Sequence, residues 1–553
     1  MSDALLAGVS GLTAHQKMLD VVGNNLANID TLGFKTSRVM FSELLSQTLK
    51  EGTGPTDFTG GTNPEQIGAG VGIGSINRDM TQGSMETTNQ PLDMAIAGAG
   101  FFVLNDGTRD LYTRVGAFGV DAGNYLVDPA TGYRVQRIGS EGVAEGFQNP
   151  ASGDIRVPYD MALSAKATES IQFSGNLSPD SNQPTTALFT SGLPLTAGGP
   201  VASGTTKLVD LDGSTAIAGD KITVAGKKKD GTAVSADFTI AAGSTIDDLT
   251  SFMTTQFGGS SSDGSSATYT NGEIGLSDNT AGYSQTDLTM TYGGAGAFPL
   301  PKYFQMTAAG GNETRTTSVE VYDAQGVSHD AKVAFIRKDD SSTGSSWDAV
   351  LMSMLGDVQF DKRRISDITF GSDGSFGGMG GATPDTATFD VRYASDASNL
   401  HTLTLNLGTA GGFDGLVQFG GSSTAAAGAQ DGYAAGWLSS LSVSSEGVLE
   451  GTFTNGVRST IAALKLATFQ NPAGLQAVGT GYYTTSGNSG DPMLTKALTG
   501  GAGSISGASL EKSNVDMAVE FVNLIEAQNG YQANARTIRV ANEMLKELSN
   551  LIA

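Results

Sequence analysis

The end of this 553-residue chain carries a seven-residue apolar repeat that constrains its fold more than any other feature. From about Ser513 to Ala553, apolar positions are spaced alternately four and three residues apart, which is typical of a coiled-coil helix. No proline interrupts the repeat, and such a helix would be roughly 55 Å long. Its positions are Met517, Phe521, Leu524, Gln528, Tyr531, Ala535, Ile538, Asn542, Leu545, Leu548 and Ile552.

The other end of the chain shows the same spacing over residues 1–30. We predict a terminal helical domain in which residues 1–30 and 510–553 pair along their apolar positions. An ordinary amphipathic helix that packs on its own domain is the alternative. The N-terminal positions of the repeat are Leu5, Val9, Leu12, Gln16, Leu19, Gly23 and Leu26.

The composition limits the possible partners. Acidic residues number 56 against 32 basic ones, and the formal net charge of -24 argues against nucleic acid and anionic membranes as partners. No apolar run is long enough for membrane insertion, and the N-terminus has no basic segment of the kind that begins a secretory signal. We therefore expect any export to proceed without signal cleavage. Cysteine is absent, which excludes disulfides and thiolate chemistry.

A polar segment follows the first helical repeat and reads NNLANIDTLGFK. Asparagine, aspartate and glycine gather where helices stop, and Gly33 is predicted to be a left-handed terminator. The segment closely resembles the motif that ends the N-terminal helix in axial proteins of the bacterial flagellum, which include rod, hook and hook-associated proteins. The residues that carry the resemblance are Asn24, Asn25, Leu26, Ala27, Asn28, Gly33, Phe34 and Lys35.

Between the termini the sequence predicts β structure with many turns, since glycine accounts for 76 residues. We expect a linker or clamp-like arm over residues 31–75. A β-rich inner domain is predicted from residues 76–160 and 436–509, with a hairpin turn at Asn105–Gly107. The predicted fold is multidomain and mainly β, with a coiled-coil-like pair of terminal α-helices and nested inserted β domains.

The interior is predicted to be an insertion. A β outer domain is expected from residues 161–177 and 311–435, with residues 171–177 and 316–336 as neighbouring strands. This pair resembles the outer domain of hook proteins and is not expected in the shorter rod proteins. Residues 178–310 are predicted to form a separately folded outermost domain with a short helix near residues 246–257.

The sequence offers no catalytic, cofactor or metal motif. Its histidines, His15, His329 and His401, are far apart in the chain, and Asp210–Gly213 lacks the later glutamate of a calcium loop. We expect no enzyme activity, cofactor or bound metal.

The resemblance covers residues 1–180 and 310–553 and implies a structural subunit of the flagellar hook, the curved, flexible tube that joins rod to filament and transmits torque. It implies self-assembly as a helical homopolymer, in which the apolar positions of the two terminal repeats form the assembly seam between copies. It also implies contact with rod proteins, hook-filament junction proteins, the hook cap and the type III export apparatus. The implied location is extracellular, in the hook and basal body. The alternatives are a distal rod or junction protein, or an acidic secreted β-rich adhesin or polysaccharide-active protein.

Overall fold

The computed structural model describes residues 2–180, 182–301, 303–338, 346–354, 358–379 and 387–552. The chain divides into two compact units. Unit 1 combines Met1–Leu163 with Gly436–Ala553, and unit 2 is Ser164–Ala435.

Unit 1 begins with a long helix that precedes a series of short strands. They are α1 (Ser2–Ala27), β1 (Ser37–Glu43), β2 (Ser46–Lys50), β3 (Glu65–Gly68), β4 (Val71–Arg78), β5 (Met85–Thr87), β6 (Met94–Ala97), β7 (Phe101–Asn105), β8 (Asp110–Thr113), β9 (Gly119–Val120), β10 (Leu126–Val127), β11 (Arg134–Val135), β12 (Arg137–Ile138) and β13 (Ala162–Leu163).

Unit 2 consists of strands with a short helix near its middle. They are β14 (Ser170–Asn176), β15 (Leu188–Thr190), β16 (Lys221–Lys227), β17 (Ala233–Thr239), α2 (Ile246–Gln256), β18 (Ser265–Thr270), β19 (Glu273–Asp278), β20 (Asp287–Tyr292), β21 (Gln305–Ala308), β22 (Thr314–Tyr322), β23 (Ser328–Arg337), β24 (Trp347–Met354), β25 (Val358–Lys362), β26 (Arg364–Phe370), β27 (Phe376–Gly378), β28 (Ala387–Tyr393), β29 (His401–Asn406), β30 (Leu416–Val417) and β31 (Ala426–Gln430).

The chain then returns to unit 1 and ends in its longest helix. These elements are β32 (Gly436–Val443), β33 (Val448–Phe453), β34 (Arg458–Leu464), β35 (Leu466–Thr468), β36 (Gln476–Gly479), β37 (Tyr482–Thr484), β38 (Met493–Thr495), β39 (Ser504–Gly507), β40 (Ser509–Glu511) and α3 (Met517–Ile552).

The two parts of unit 1 share their sheets. One sheet has the order β36-β37-β8-β7-β11-β10-β9, with β35 between β7 and β38, and another has the order β12-β34-β33-β32-β13. Both sheets therefore combine strands from before and after unit 2. The predicted hairpin at Asn105–Gly107 is confirmed, because it joins the paired strands β7 and β8.

Where the sequence indicated a linker, the structure has strands. Strand β1 pairs with β4, and β2 pairs with β3 in an antiparallel hairpin extended by a bridge between Thr53 and Thr62. We call residues 40–68 the arm; all of them are exposed.

Unit 2 has two apolar cores on opposite faces of one sheet, whose order is β22-β23-β24-β26-β27. Alternate residues of β23 point to opposite faces, so Val333 and Phe335 enter one core while Ala334 and Ile336 enter the other. The second core also contains α2, which confirms the predicted short helix and begins with a capping box at Thr245.

The predicted neighbours in the outer domain do not pair with each other. Strand β14 pairs with β29, β30 and β31, whereas β22 and β23 belong to the other sheet that borders the same core. Phe173 and Phe335 meet across this core with their ring centroids 5.4 Å apart. Both strands alternate apolar and polar residues, and this pattern does not distinguish pairing in one sheet from packing between two.

Candidate assembly surface and terminal clamp

The predicted terminal helices are present and pack against each other in antiparallel directions. Their contact relies on glycine, because a Cβ atom at Gly8 would lie 2.9 Å from Ile538 Cγ1, and one at Gly11 would lie 2.6 Å from Asn534 Oδ1. On α3, a Cβ atom at Gly530 would lie 2.4 Å from the ring of His15. The glycines thus allow a closer approach than alanine would permit.

The residues that α1 buries most deeply are next to the predicted seam and not within it. Gly8, Gly11 and Ala14 are buried at a spacing of three residues, and the buried Val22 lies about two turns further along the same helical face. Sequence reasoning missed this face because it weighted large apolar residues, although the spacing of Gly8, Gly11 and Ala14 was a signal for close helix packing.

The predicted seam residues are divided between half-buried and exposed positions. The half-buried ones are Leu5, Leu12, Leu19, Leu26, Leu524, Tyr531 and Ile538. The exposed ones are Val9, Met517, Phe521, Leu545 and Leu548, and the side chain of Ile552 lies outside the described residues.

Helix α3 continues beyond its last buried residue, Ala541. Residues 542–550 are all exposed, and they include the apolar side chains of Met544, Leu545 and Leu548. This end of α3 therefore presents an apolar surface that the rest of the described chain does not cover.

The polar motif after α1 connects the two termini. Asn25 is buried and pairs with the backbone of Ser37: its Nδ2 donates to the Ser37 carbonyl at 2.8 Å, and its Oδ1 accepts from the Ser37 amide at 3.0 Å. Asn28 Nδ2 donates to the Asn24 carbonyl at 2.8 Å, so these asparagines shape the turn that follows the helix. Ala27 is the last residue of α1.

Gly33 is left-handed as predicted, with φ of 62°, but it does not terminate α1, which ends six residues earlier. Its amide donates instead to the Glu511 carbonyl at 2.8 Å. A Cβ atom at Gly33 would lie 3.1 Å from the backbone of Arg114. The glycine thus lets the loop lie close to the Arg114 backbone while its amide bonds to the segment that leads into α3.

Three buried charged residues hold this loop in place. Lys35 Nζ lies 2.6 Å from Glu511 Oε1, and Arg114 Nη1 lies 3.2 Å from Glu511 Oε2. Lys35 and Glu511 are each 1% exposed and Arg114 is 5% exposed. The amide of Gly83 also donates to Glu511 Oε1 at 2.9 Å, and Lys35 donates to the Thr81 carbonyl at 2.6 Å.

Burial lowers the pKa of the Lys35 ammonium, whereas the hydrogen bond and negative charge of Glu511 act in the opposite direction. Burial likewise lowers the pKa of the Arg114 guanidinium, against the same carboxylate. Each cation depends on Glu511 to offset its desolvation. The cluster therefore requires that both ends of the chain are present.

Asn514 completes the connection just before α3. Its Oδ1 accepts from the Thr36 amide at 2.8 Å, and its Nδ2 donates to the Asp79 carbonyl at 3.0 Å. We call Lys35, Arg114, Glu511 and Asn514 the terminal clamp. It fixes the start of α3 to the loop that follows α1.

The described residues contain no group of three or more histidine, aspartate or glutamate side chains arranged to hold a metal ion. His15 lies in the α1–α3 contact, and the rings of His329 and His401 flank Tyr393 in unit 2. Within the part of the chain that the structure covers, no helix has the length and hydropathy needed to cross a membrane.

Comparison with known proteins identifies the family. Over 583 aligned residues, the chain is 31% identical to the flagellar hook protein FlgE of Treponema pallidum, and the match covers 100% of both chains. The chain belongs to the flagellar hook protein family. The hook protein of Borreliella burgdorferi is 29% identical, again over 100% of both chains. The chain is thus a structural subunit of the bacterial flagellar hook, and this family is structural and not enzymatic.

A rod protein is similar to only part of this chain. The rod protein FlgG of Bacillus subtilis is 38% identical over 160 residues, which is 29% of this chain. The two hook proteins, in contrast, match along the full length of the chain, which agrees with the hook-protein resemblance of the sequence.

Four family descriptions match separate segments of the hook protein. They are "Flagella basal body rod protein" at residues 5–35, "Flagellar hook protein FlgE/F/G D1 domain" at 95–178, "Flagellar basal body protein FlaE D2 domain" at 295–433 and "Flagellar basal body rod FlgEFG protein C-terminal" at 506–551. The first and last of these contain Lys35 and Glu511, so both sides of the ion pair lie in family segments.

Proposed function

We propose that the chain polymerises into the curved, flexible tube of the hook by burying the exposed apolar faces of α1 and α3 against other copies. The observation that carries this proposal is the uncovered end of α3, where Leu545 and Leu548 remain exposed while Ala541 is buried. An exposed apolar surface of this kind marks a site of protein association. The exposed members of the predicted seam, including Val9 and Phe521, extend the same surface along both helices.

Membership of the hook family supports a place outside the cell, in the flagellum, and assembly as a homopolymer with other flagellar components. We further propose contacts with the rod and with hook-filament junction proteins at the ends of the tube, and with a hook cap during growth. In this proposal the tube connects rod to filament and transmits torque. The chain reaches it through the type III export apparatus without cleavage of a signal peptide.

Replacing Leu545 by aspartate tests the assembly surface. We expect Leu545→Asp to abolish polymerisation, because each contact between copies would bury an unpaired carboxylate. The fold of the single chain should be unchanged, since residue 545 lies in the exposed end of α3. Sedimentation and negative-stain microscopy of concentrated protein measure the polymer, and circular dichroism measures the fold.

The matched control is Gln532→Asp, which adds the same charge at an exposed polar position of the same helix. This variant should form normal tubes. Normal tubes from Leu545→Asp as well would contradict the proposed role of α3.

A further inference from the structure

The arm, residues 40–68, has no core of its own. Its hairpin of β2 and β3 is two-stranded, and every residue of the arm is exposed. Phe58, near the tip, is 96% exposed, and Leu45 is 90% exposed. An isolated two-stranded hairpin is only marginally stable in water. The arm therefore has the form of an element that another surface covers.

The arm is also long enough to reach beyond its own base. From Leu45 to Thr56 it extends on the order of 35 Å at the usual rise of a strand. The exposure of Phe58 means that the described part of its own chain does not cover this ring. A cover for Phe58 would therefore come from a different molecule.

A second feature of unit 1 is a groove between the loop after α1 and the hairpin of β36 and β37. It has a volume of about 510 Å³, and its apolar walls include Leu32, Phe34, Val115, Ala477 and Tyr482. We call it the motif groove, because Asn24, Asn28 and Lys35 of the polar motif also line it. The groove lies apart from the exposed end of α3.

The turn at one wall of the motif groove is strained. Gly479, Thr480 and Gly481 have successive φ values of 103°, 50° and 80°. A positive φ is an outlier for a β-branched residue such as threonine, and strain of this kind clusters at binding surfaces. A Cβ atom at Gly481 would lie 2.8 Å from Val115 Cγ2, so the turn packs closely against the opposite wall.

The charges of the groove and the arm are complementary. The Arg78 guanidinium lies at the groove with its carbon 5.2 Å from the centroid of the Tyr483 ring, and no ion pair involves Arg78 among the described residues. The arm carries four acidic residues, Glu43, Glu51, Asp57 and Glu65, against a single lysine. An acidic arm with an aromatic tip thus matches an aromatic groove with an available cation.

We propose that the arm of one copy inserts Phe58 into the motif groove of a second copy, with Asp57 beside Arg78. This inference rests on the proposed homopolymer and adds a contact that is separate from the helices. The occupant of the groove is thus a β-hairpin of the same protein. The contact lends the polymer a second connection between copies, made by elements that the helical surface does not include.

Cross-linking can test this contact sharply, because the natural chain contains no cysteine. Phe58→Cys and Ala477→Cys are made as separate variants, mixed, polymerised and treated with a mild oxidant. A disulfide between the two variants joins different molecules by construction. We expect a covalent heterodimer in the sedimented polymer, detected on a non-reducing gel and located by mass spectrometry of the joined peptides.

The matched control mixes Phe58→Cys with Thr289→Cys, an exposed position on β20 of unit 2, and should yield no heterodimer. Adding Arg78→Glu to the Ala477→Cys variant should reduce the heterodimer, and adding Asp57→Arg to the Phe58→Cys variant should restore it. Polymer that forms without the heterodimer, or with equal cross-linking in the control, would overturn the arm contact and leave the groove to another occupant. Failure of the unmodified chain to polymerise would instead contradict the proposed function.

Discussion

At the scale of single residues, the terminal clamp shows why a short polar motif holds a large structure together. Glu511 accepts hydrogen bonds from two buried cations and a backbone amide, so its carboxylate is the shared partner of the cluster. Attraction between buried charges roughly offsets their desolvation, whereas the loss of one partner leaves the others uncompensated. The clamp thus stabilises the structure only while it is complete.

Glu511→Ala should therefore destabilise unit 1 by about 3–5 kcal/mol, because Lys35 and Arg114 would remain buried without a counter-charge. Urea unfolding followed by circular dichroism measures the loss. Hydrogen exchange at residues 505–516 locates it. Lys512→Ala is the control, since the pair of Lys512 and Glu86 is about half exposed and solvent screens its attraction. Equal effects from the two variants would refute the special role of the buried carboxylate.

At the scale of elements, the sequence predicts local structure but not the contacts between distant elements. The terminal helices, α2 and the turn at Asn105–Gly107 were predictable, because each depends on residues close together in the chain. The face of α1 that contacts α3 was not predictable, because Gly8 and Gly11 form part of it. The apolar repeat instead draws attention to large apolar side chains on a neighbouring face. The partner of Lys35 could not be predicted either, because Glu511 is 476 residues away.

Glycine substitutions test this helix contact. Alanine usually stabilises a helix by about 1 kcal/mol relative to glycine. Gly530→Ala should nevertheless lower the stability of the α1–α3 pair, because the new methyl group would overlap the ring of His15. Gly23→Ala on α1 should give the usual gain, since no atom lies within 4 Å of its new Cβ. Thermal unfolding followed at 222 nm compares the two variants, and a gain from both would argue against close packing at Gly530.

At the scale of the whole molecule, the arrangement of unit 2 depends on a sheet with two buried faces. Its alternating residues give Phe335 to one core and Ile336 to the other. The sequence predicted β structure on both sides but not the shared sheet, because the residues that cover its two faces come from distant parts of the chain. The boundaries of the predicted outermost domain, residues 178 and 310, remain a prediction. The core that contains α2 also includes side chains from beyond residue 310.

A shared sheet should make unit 2 unfold as one cooperative body. An isolated chain of residues 164–435 should show a single thermal transition, with the same midpoint for both cores. Phe335→Ala should lower its stability by about 3–5 kcal/mol and Ile336→Ala by about 2–5 kcal/mol. In each variant, hydrogen exchange should rise together in α2 and in β14. Separate transitions, each moved by only one substitution, would show two independent domains.

The pairing of β13 with β32 sets Leu163 opposite Gly436, at the two points where the chain leaves unit 1 and returns to it. The entropy lost on closing a loop increases with its length, and the stretch between Lys35 and Glu511 is among the longest that this chain can close. Once unit 2 has folded and β13 has paired with β32, more than half of that stretch no longer adds to the entropy cost of bringing Lys35 and Glu511 together. We therefore expect the middle of the chain to fold first, the sheets of unit 1 to form next, and the ion pair between the termini to form last.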